Sequence, residues 1–182
     1  MAVLIEAISV VIRRETIADK YPGGLNQYVE DCPNPRTLCM DEELVRVGFM
    51  TGRDASDFIA SLEREGFSYV IDDEYDEIAV VDQFAGIYLP CDWLEFLTVV
   101  IFKGDLRVKA CNISGNPLGY LAFPAGWNYE HSLSKQSMVA NEADFAVRMT
   151  FLRHENGVDI FWDKLTGKEV YRERAVKRNA NA

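Results

Sequence analysis

Apolar segments interrupted by turn residues roughly every 8–15 positions constrain this chain more than any other feature of its 182 residues. Stretches so short satisfy their backbone groups best by pairing with one another as strands. Val3 to Arg13 is nearly continuously apolar and rich in β-branched residues, which predicts one strand buried on both faces. Val45, Val47 and Phe49 alternate with Arg46 and Gly48, predicting a strand with one buried face. Phe67–Ile71 and Ile78–Val81 read as a hairpin around an acidic turn, and Leu94–Phe102 pairs with Leu106–Ile113 around Lys103-Gly104-Asp105. Tyr120 to Phe123 reads as a short strand. Phe145, Val147, Met149 and Phe151 alternate as another, followed across Asn156-Gly157 by Val158–Trp162 and then by Glu169–Arg172.

Helical periodicity is confined to the first half. Thr16 is positioned to cap a short turn through Tyr21, and Leu25, Tyr28 and Val29 have i, i+3, i+4 spacing. The clearest helix starts at an N-cap, Thr51, with Asp54 at N3, and carries the stripe Ala55, Phe58, Ile59 and Leu62 until Gly66 ends it. The expected class is α+β: a mostly antiparallel sheet with two helical regions in the N-terminal half. The expected organisation is one domain over residues 1–173, with a disordered tail at 174–182 too poor in apolar residues to dock.

Charge is divided unevenly. Residues 1–100 hold 20 Asp+Glu against 7 Lys+Arg, a net of −13, whereas residues 101–182 hold 9 against 12, a net of +3. Such a field attracts a basic protein and repels phosphate backbones and anionic lipid. The longest apolar stretch, Met1 to Ile12, contains Glu6 and Ser9 and falls short of the roughly 20 residues a membrane span needs. No basic residues precede it, as they would in an export signal, so a cytoplasmic location is expected.

Two constellations stand out as candidate sites. Asp72, Asp73, Glu74, Asp76 and Glu77 form an acidic turn suited to docking a basic surface, and their spacing does not fit a calcium-binding helix–loop–helix loop. Cys91, Asp92, Trp93 and Glu95 group a thiol, two carboxylates and an indole, suggesting a pocket wall; neighbouring carboxylates disfavour the thiolate that a nucleophile needs. Cys32, Cys39, Cys91 and Cys111 lack metal-type spacing and are expected to be reduced. His131 and His154 have no partner at helical spacing, so neither a metal nor another cofactor is expected. The leading functional expectation is a non-enzymatic acidic binding protein, such as an immunity or inhibitor protein that neutralises a basic toxin or nuclease. The alternative is a small-ligand-binding protein or enzyme with a pocket around Cys91, Asp92 and Trp93.

Leu4 to Arg13, Tyr21-Pro-Gly-Gly24, Arg46 to Met50, Ala79 to Gln83 and Pro90 to Phe96 together resemble an uncharacterised family of small bacterial proteins. The resemblance spans about the first hundred residues. It implies a bacterial cytosolic protein and carries no activity, ligand or residue role.

Overall fold

The N-terminal apolar run is two strands, not one. In the computed structural model, which describes residues 1–102, 106–156, 158–164 and 167–173, β1 (Ala2–Ile5) and β2 (Ile8–Arg13) meet at a corner. Ala7 turns that corner with a left-handed backbone, φ 46°, a conformation that costs an alanine roughly 1–2 kcal/mol. Hydrogen bonds hold it, among them that of the Gln83 N–H to the Ala7 carbonyl at 2.9 Å. The Ala7 N–H donates to Gln83 Oε1 at 2.6 Å, while Ser9 Oγ accepts from the Glu6 N–H at 3.2 Å and donates to the Glu6 carbonyl at 3.0 Å.

The helices α1 (Arg14–Lys20) and α2 (Gly24–Asp31) follow, then β3 (Cys39–Met40), β4 (Leu44–Phe49) and α3 (Gly52–Arg64). A short ribbon, β5 (Val70–Ile71) with β6 (Glu74–Tyr75), precedes β7 (Ile78–Asp82), β8 (Gly86–Ile87), β9 (Leu94–Ile101), β10 (Leu106–Ile113) and β11 (Leu121–Ala122). The chain ends in α4 (Leu133–Arg148), β12 (Met149–Glu155), β13 (Val158–Asp163) and β14 (Lys168–Glu173). The protein is α+β, and among the described residues every strand pairing is antiparallel except β1 with β11.

The corner at Glu6-Ala7 sends β1 and β2 into different sheets. β1 lies in the order β11-β1-β10-β9, and β2 lies at the centre of β3-β4-β2-β7-β8. Strands that switch sheets at a bend are how crossing sheets share one core. Val10 of β2 stands opposite both Val47 and Val80, and all three are buried. The predicted helix forms as α3. Thr51 accepts the Asp54 N–H at 3.2 Å, and Ala55, Phe58, Ile59 and Leu62 are buried. Gly66 ends it at φ 89°, with Phe67 N–H reaching back to the Leu62 carbonyl.

Several expectations are corrected. The first helix begins at Arg14, so Thr16 is a buried residue inside it and not its cap. β7 pairs with β2 instead of closing a hairpin on residues 67–71, because its four apolar residues are worth more in the central sheet than beside an exposed ribbon. β4 is buried on both faces, Arg46 included. Residues 145 and 147 belong to α4, not to a strand: Met138, Ala140, Glu142 and Ala143 before them are good helix formers, and this fourth helix lies in the second half. Helices are therefore not limited to two N-terminal regions.

Contacts group the chain into two compact units, Met1–Ser137 and Met138–Ala182. The first holds the two main sheets and α1–α3. The second contains the sheet β12-β13-β14, where Phe151 meets Phe161 edge-on, Arg148 pairs with Asp163, and Arg153 pairs with Glu169. The Lys103–Asp105 turn and the 174–182 tail of the sequence reading lie outside the described residues. No described helix is long and apolar enough to cross a membrane.

Candidate functional site

The first unit carries an acidic cleft with an aromatic floor. Its cavity measures about 680 Å³, within the range typical of ligand sites. α3 contributes one side through its own periodicity: Asp54, Asp57 and Ser61 follow at i, i+3 and i+7, with Glu65 at its C-cap, alongside the buried stripe of Phe58 and Leu62. Asp31 faces them from the end of α2, and Tyr21, Phe49 and Met50 complete the lining with Pro33 and Asn34.

The floor is a chain of rings. Phe49 lies 5.4 Å from Phe58, Phe58 lies 6.4 Å from Tyr28, and Tyr28 meets Tyr21 edge-on at 5.2 Å. Packed rings of this kind form a stiff apolar surface. Two carboxylates above it are oriented from within the protein: Asp31 accepts from Tyr21 Oη at 3.1 Å and Gln27 Nε2 at 3.0 Å, and Asp54 accepts from Thr51 Oγ1 at 2.7 Å. None of Asp31, Asp54, Asp57 and Glu65 belongs to an ion pair among the described residues. Burial, together with the negative charge of Asp31 and Glu65, raises the Tyr21 hydroxyl pKa above its ordinary value, so Tyr21 stays a neutral donor. Like charges at i, i+3 on one helix cost a few tenths of a kcal/mol, and Glu65 also sits at the negative end of the helix dipole. The arrangement can attract a cation and lay apolar groups on rings.

Behind a second cavity of about 470 Å³, the Glu6 carboxylate is buried in a complete network. Its Oε2 faces Arg46 Nη2 at 3.2 Å, and its Oε1 accepts from Trp127 Nε1 at 2.9 Å and from the Ser134 N–H and hydroxyl, each at 3.3 Å. Arg46 donates to the carbonyls of Leu4 at 2.5 Å and Thr37 at 2.9 Å. Gly48 is required beside it, because a Cβ there would come within 2.8 Å of Arg46 Nη1 and 2.9 Å of Leu133 Cδ1.

The predicted acidic turn is placed as a true turn. Asp72 and Asp73 adopt left-handed backbones between β5 and β6, at φ 50° and 64°, and both side chains are exposed together with Glu74. Asp76 is half-buried. Glu77 is tied inward, with its carboxylate 2.7 Å from Lys20 Nζ and accepting the Ser68 N–H at 2.8 Å. None of the five lines the cleft.

The second predicted group is split. Burial pushes the Cys91 thiol up to about 11, Asp92 adding to the shift, so it is protonated at neutral pH. Asp92 and Glu95 are exposed, whereas Trp93 is buried under the Arg13 guanidinium, 4.8 Å from its ring centre. Cys32, Cys39, Cys91 and Cys111 are all unpaired. Among the cleft residues, the spacing of Asp54 and Asp57 on one helix, with Glu65 at its end, was the signal available in the sequence; Asp31 joins them only through tertiary contact. No protein-family model matches the chain, nor does any curated protein or solved structure, so its function is read from geometry alone.

Proposed function

We propose that this protein is a non-enzymatic binding protein that accepts a basic, amphipathic segment of a protein partner in the acidic cleft. One observation carries the reading: four carboxylates without a cationic partner stand over an aromatic floor. An arginine or lysine side chain meets the carboxylates while an adjacent apolar residue rests on Phe49 and Phe58, and guanidinium groups also stack on rings. The −13 charge of residues 1–100 speeds encounter with such a partner. An inhibitor that covers a basic toxin or nuclease is the form of partnership this charge suits best. A cytoplasmic site of action belongs to the same proposal, since four unpaired thiols suit a reducing compartment.

The test is titration with short peptides that place Arg or Lys beside Phe or Leu, against matched peptides carrying Glu instead. Binding should weaken with added salt and fall about tenfold or more in the double variant Asp57→Asn/Glu65→Gln, both exposed positions whose replacement leaves the fold intact. The variant Asp72→Asn/Asp73→Asn should bind nearly as well as the original. Equal affinity for basic and acidic peptides, or no loss in the cleft variant, would reject the reading.

A further inference from the structure

The edge strands of the two main sheets are unequal. Among the described residues, β11, β3 and β8 are two residues long each, whereas β9 runs for eight. Folded proteins guard a sheet edge by keeping it short, or with lysine, proline or a bulge. β9 has none of these. Glu95 is its single charged residue, and its register with β10 is unbroken from Leu94 to Ile101. By contrast β12, an edge of the third sheet, shifts register between Phe151 and Arg153. Alternate residues of an edge strand turn their N–H and carbonyl groups away from the sheet. Among the described residues, no strand or loop backbone is bonded to that side of β9 over residues 95–101. Thr98 and Val100 on this strand are exposed, Val100 at 53%.

We propose that β9 pairs antiparallel with β9 of a second copy of this chain, joining two four-stranded sheets edge to edge. A two-fold axis normal to the sheet keeps opposed residues on the same face, so the register is centred on a residue. Centred on Thr98, it sets Thr98 opposite the partner's Thr98, Leu97 opposite the partner's Val99, and Phe96 opposite the partner's Val100. Thr–Thr and aromatic–β-branched pairs favour antiparallel strands, and the exposed Val100 gains a ring beside it. Charge favours a second copy here. The chain carries −10 overall, yet β9 and β10 together hold only Glu95 against Arg107 and Lys109, a net of +1. A basic strand, the chemistry suited to the cleft, meets those two cations instead. The two Glu95 side chains of the pair stand six residues apart along the strands, roughly 20 Å, beyond the Debye length of about 8 Å. Eight residues a side fall short of the roughly 20–30 of a standard interface, so the dimer is a reversible one.

Sedimentation velocity of the full chain from about 1 to 500 µM is the first measurement. The mass should rise toward twice that of the monomer. Thr98→Lys, at an exposed position, sets like charges opposite each other on the axis and should weaken association at least about tenfold. Thr98→Cys reads the register with little change to the edge. Opposed α-carbons about 4.5–5.5 Å apart suit a disulfide, so this variant should cross-link under mild oxidation well beyond the original protein. Val100→Cys should not, since its two copies stand roughly 13 Å apart. The inference is overturned if the chain stays monomeric throughout that range, if Thr98→Lys associates as tightly as the original, or if Thr98→Cys cross-links no more than Val100→Cys.

Discussion

Glu6 is a carboxylate only 2% exposed, at the corner where the first strand changes sheets. It is tolerated because both of its oxygens have donors, Arg46 chief among them. Desolvating two ions costs several kcal/mol each, so the pair adds little net stability over a well-packed apolar substitute. Removing one partner is another matter. Glu6→Gln leaves the guanidinium of Arg46 buried without its counter-ion, and Arg46→Met strands the carbonyls of Leu4 and Thr37 as well. Each should destabilise by about 3–5 kcal/mol in urea titration, and the double variant should cost clearly less than the two together. A single change costing under about 1 kcal/mol would show that solvent reaches the pair.

At the scale of elements, α3 has two roles set by adjacent stripes. Its apolar stripe anchors it to β2 and β4, and its acidic stripe walls the cleft. Leu62 is 1% exposed, so Leu62→Ala should cost about 2–5 kcal/mol by chemical denaturation. Since Leu62 also lines the cleft, the same variant should reduce binding of a basic peptide less than Asp57→Asn/Glu65→Gln does, separating packing from charge. The contrast with α4 is instructive. Among its described side chains the large apolar ones past Leu133, which are Met138, Val139 and Val147, are exposed, so helix propensity, not amphipathic pattern, accounts for it.

At the scale of the whole molecule, the main core of the described residues runs from Val3 to Cys111, with Trp127 packed at its margin, within the unit Met1–Ser137. Limited proteolysis should therefore cut first between about residues 138 and 182 and leave a fragment near residues 1–137 that keeps a cooperative thermal transition. Mass spectrometry of the resistant product checks this. A product that runs through residue 173 would instead establish one cooperative domain over the length expected from the sequence. Charge follows the same division, with the excess of carboxylates concentrated on the unit that bears the cleft.

What was legible in the sequence was local. The cap at Thr51, the stripe of α3, the stop at Gly66 and the turns at Asp72-Asp73 and Asn156 depend on residues close together in the chain, and hydrophobic period and turn chemistry report them directly. The α+β class followed from counting such elements. Long-range choices were not legible. The break at Glu6-Ala7 interrupts no apolar pattern strongly enough to announce itself, because the side chains that hold it, Gln83, Arg46 and Trp127, come from 40 to 121 positions away. The same reason hid the sites. Asp54 and Asp57 share α3 and Glu65 caps its end, but Asp31 meets them only when α2 packs nearby, and Trp93 meets Arg13 and three glutamates only after strands distant in sequence are paired. Composition concentrated negative charge in the first half of the chain; tertiary packing decided which carboxylates would stand without a partner, because only folding determines which cations reach them.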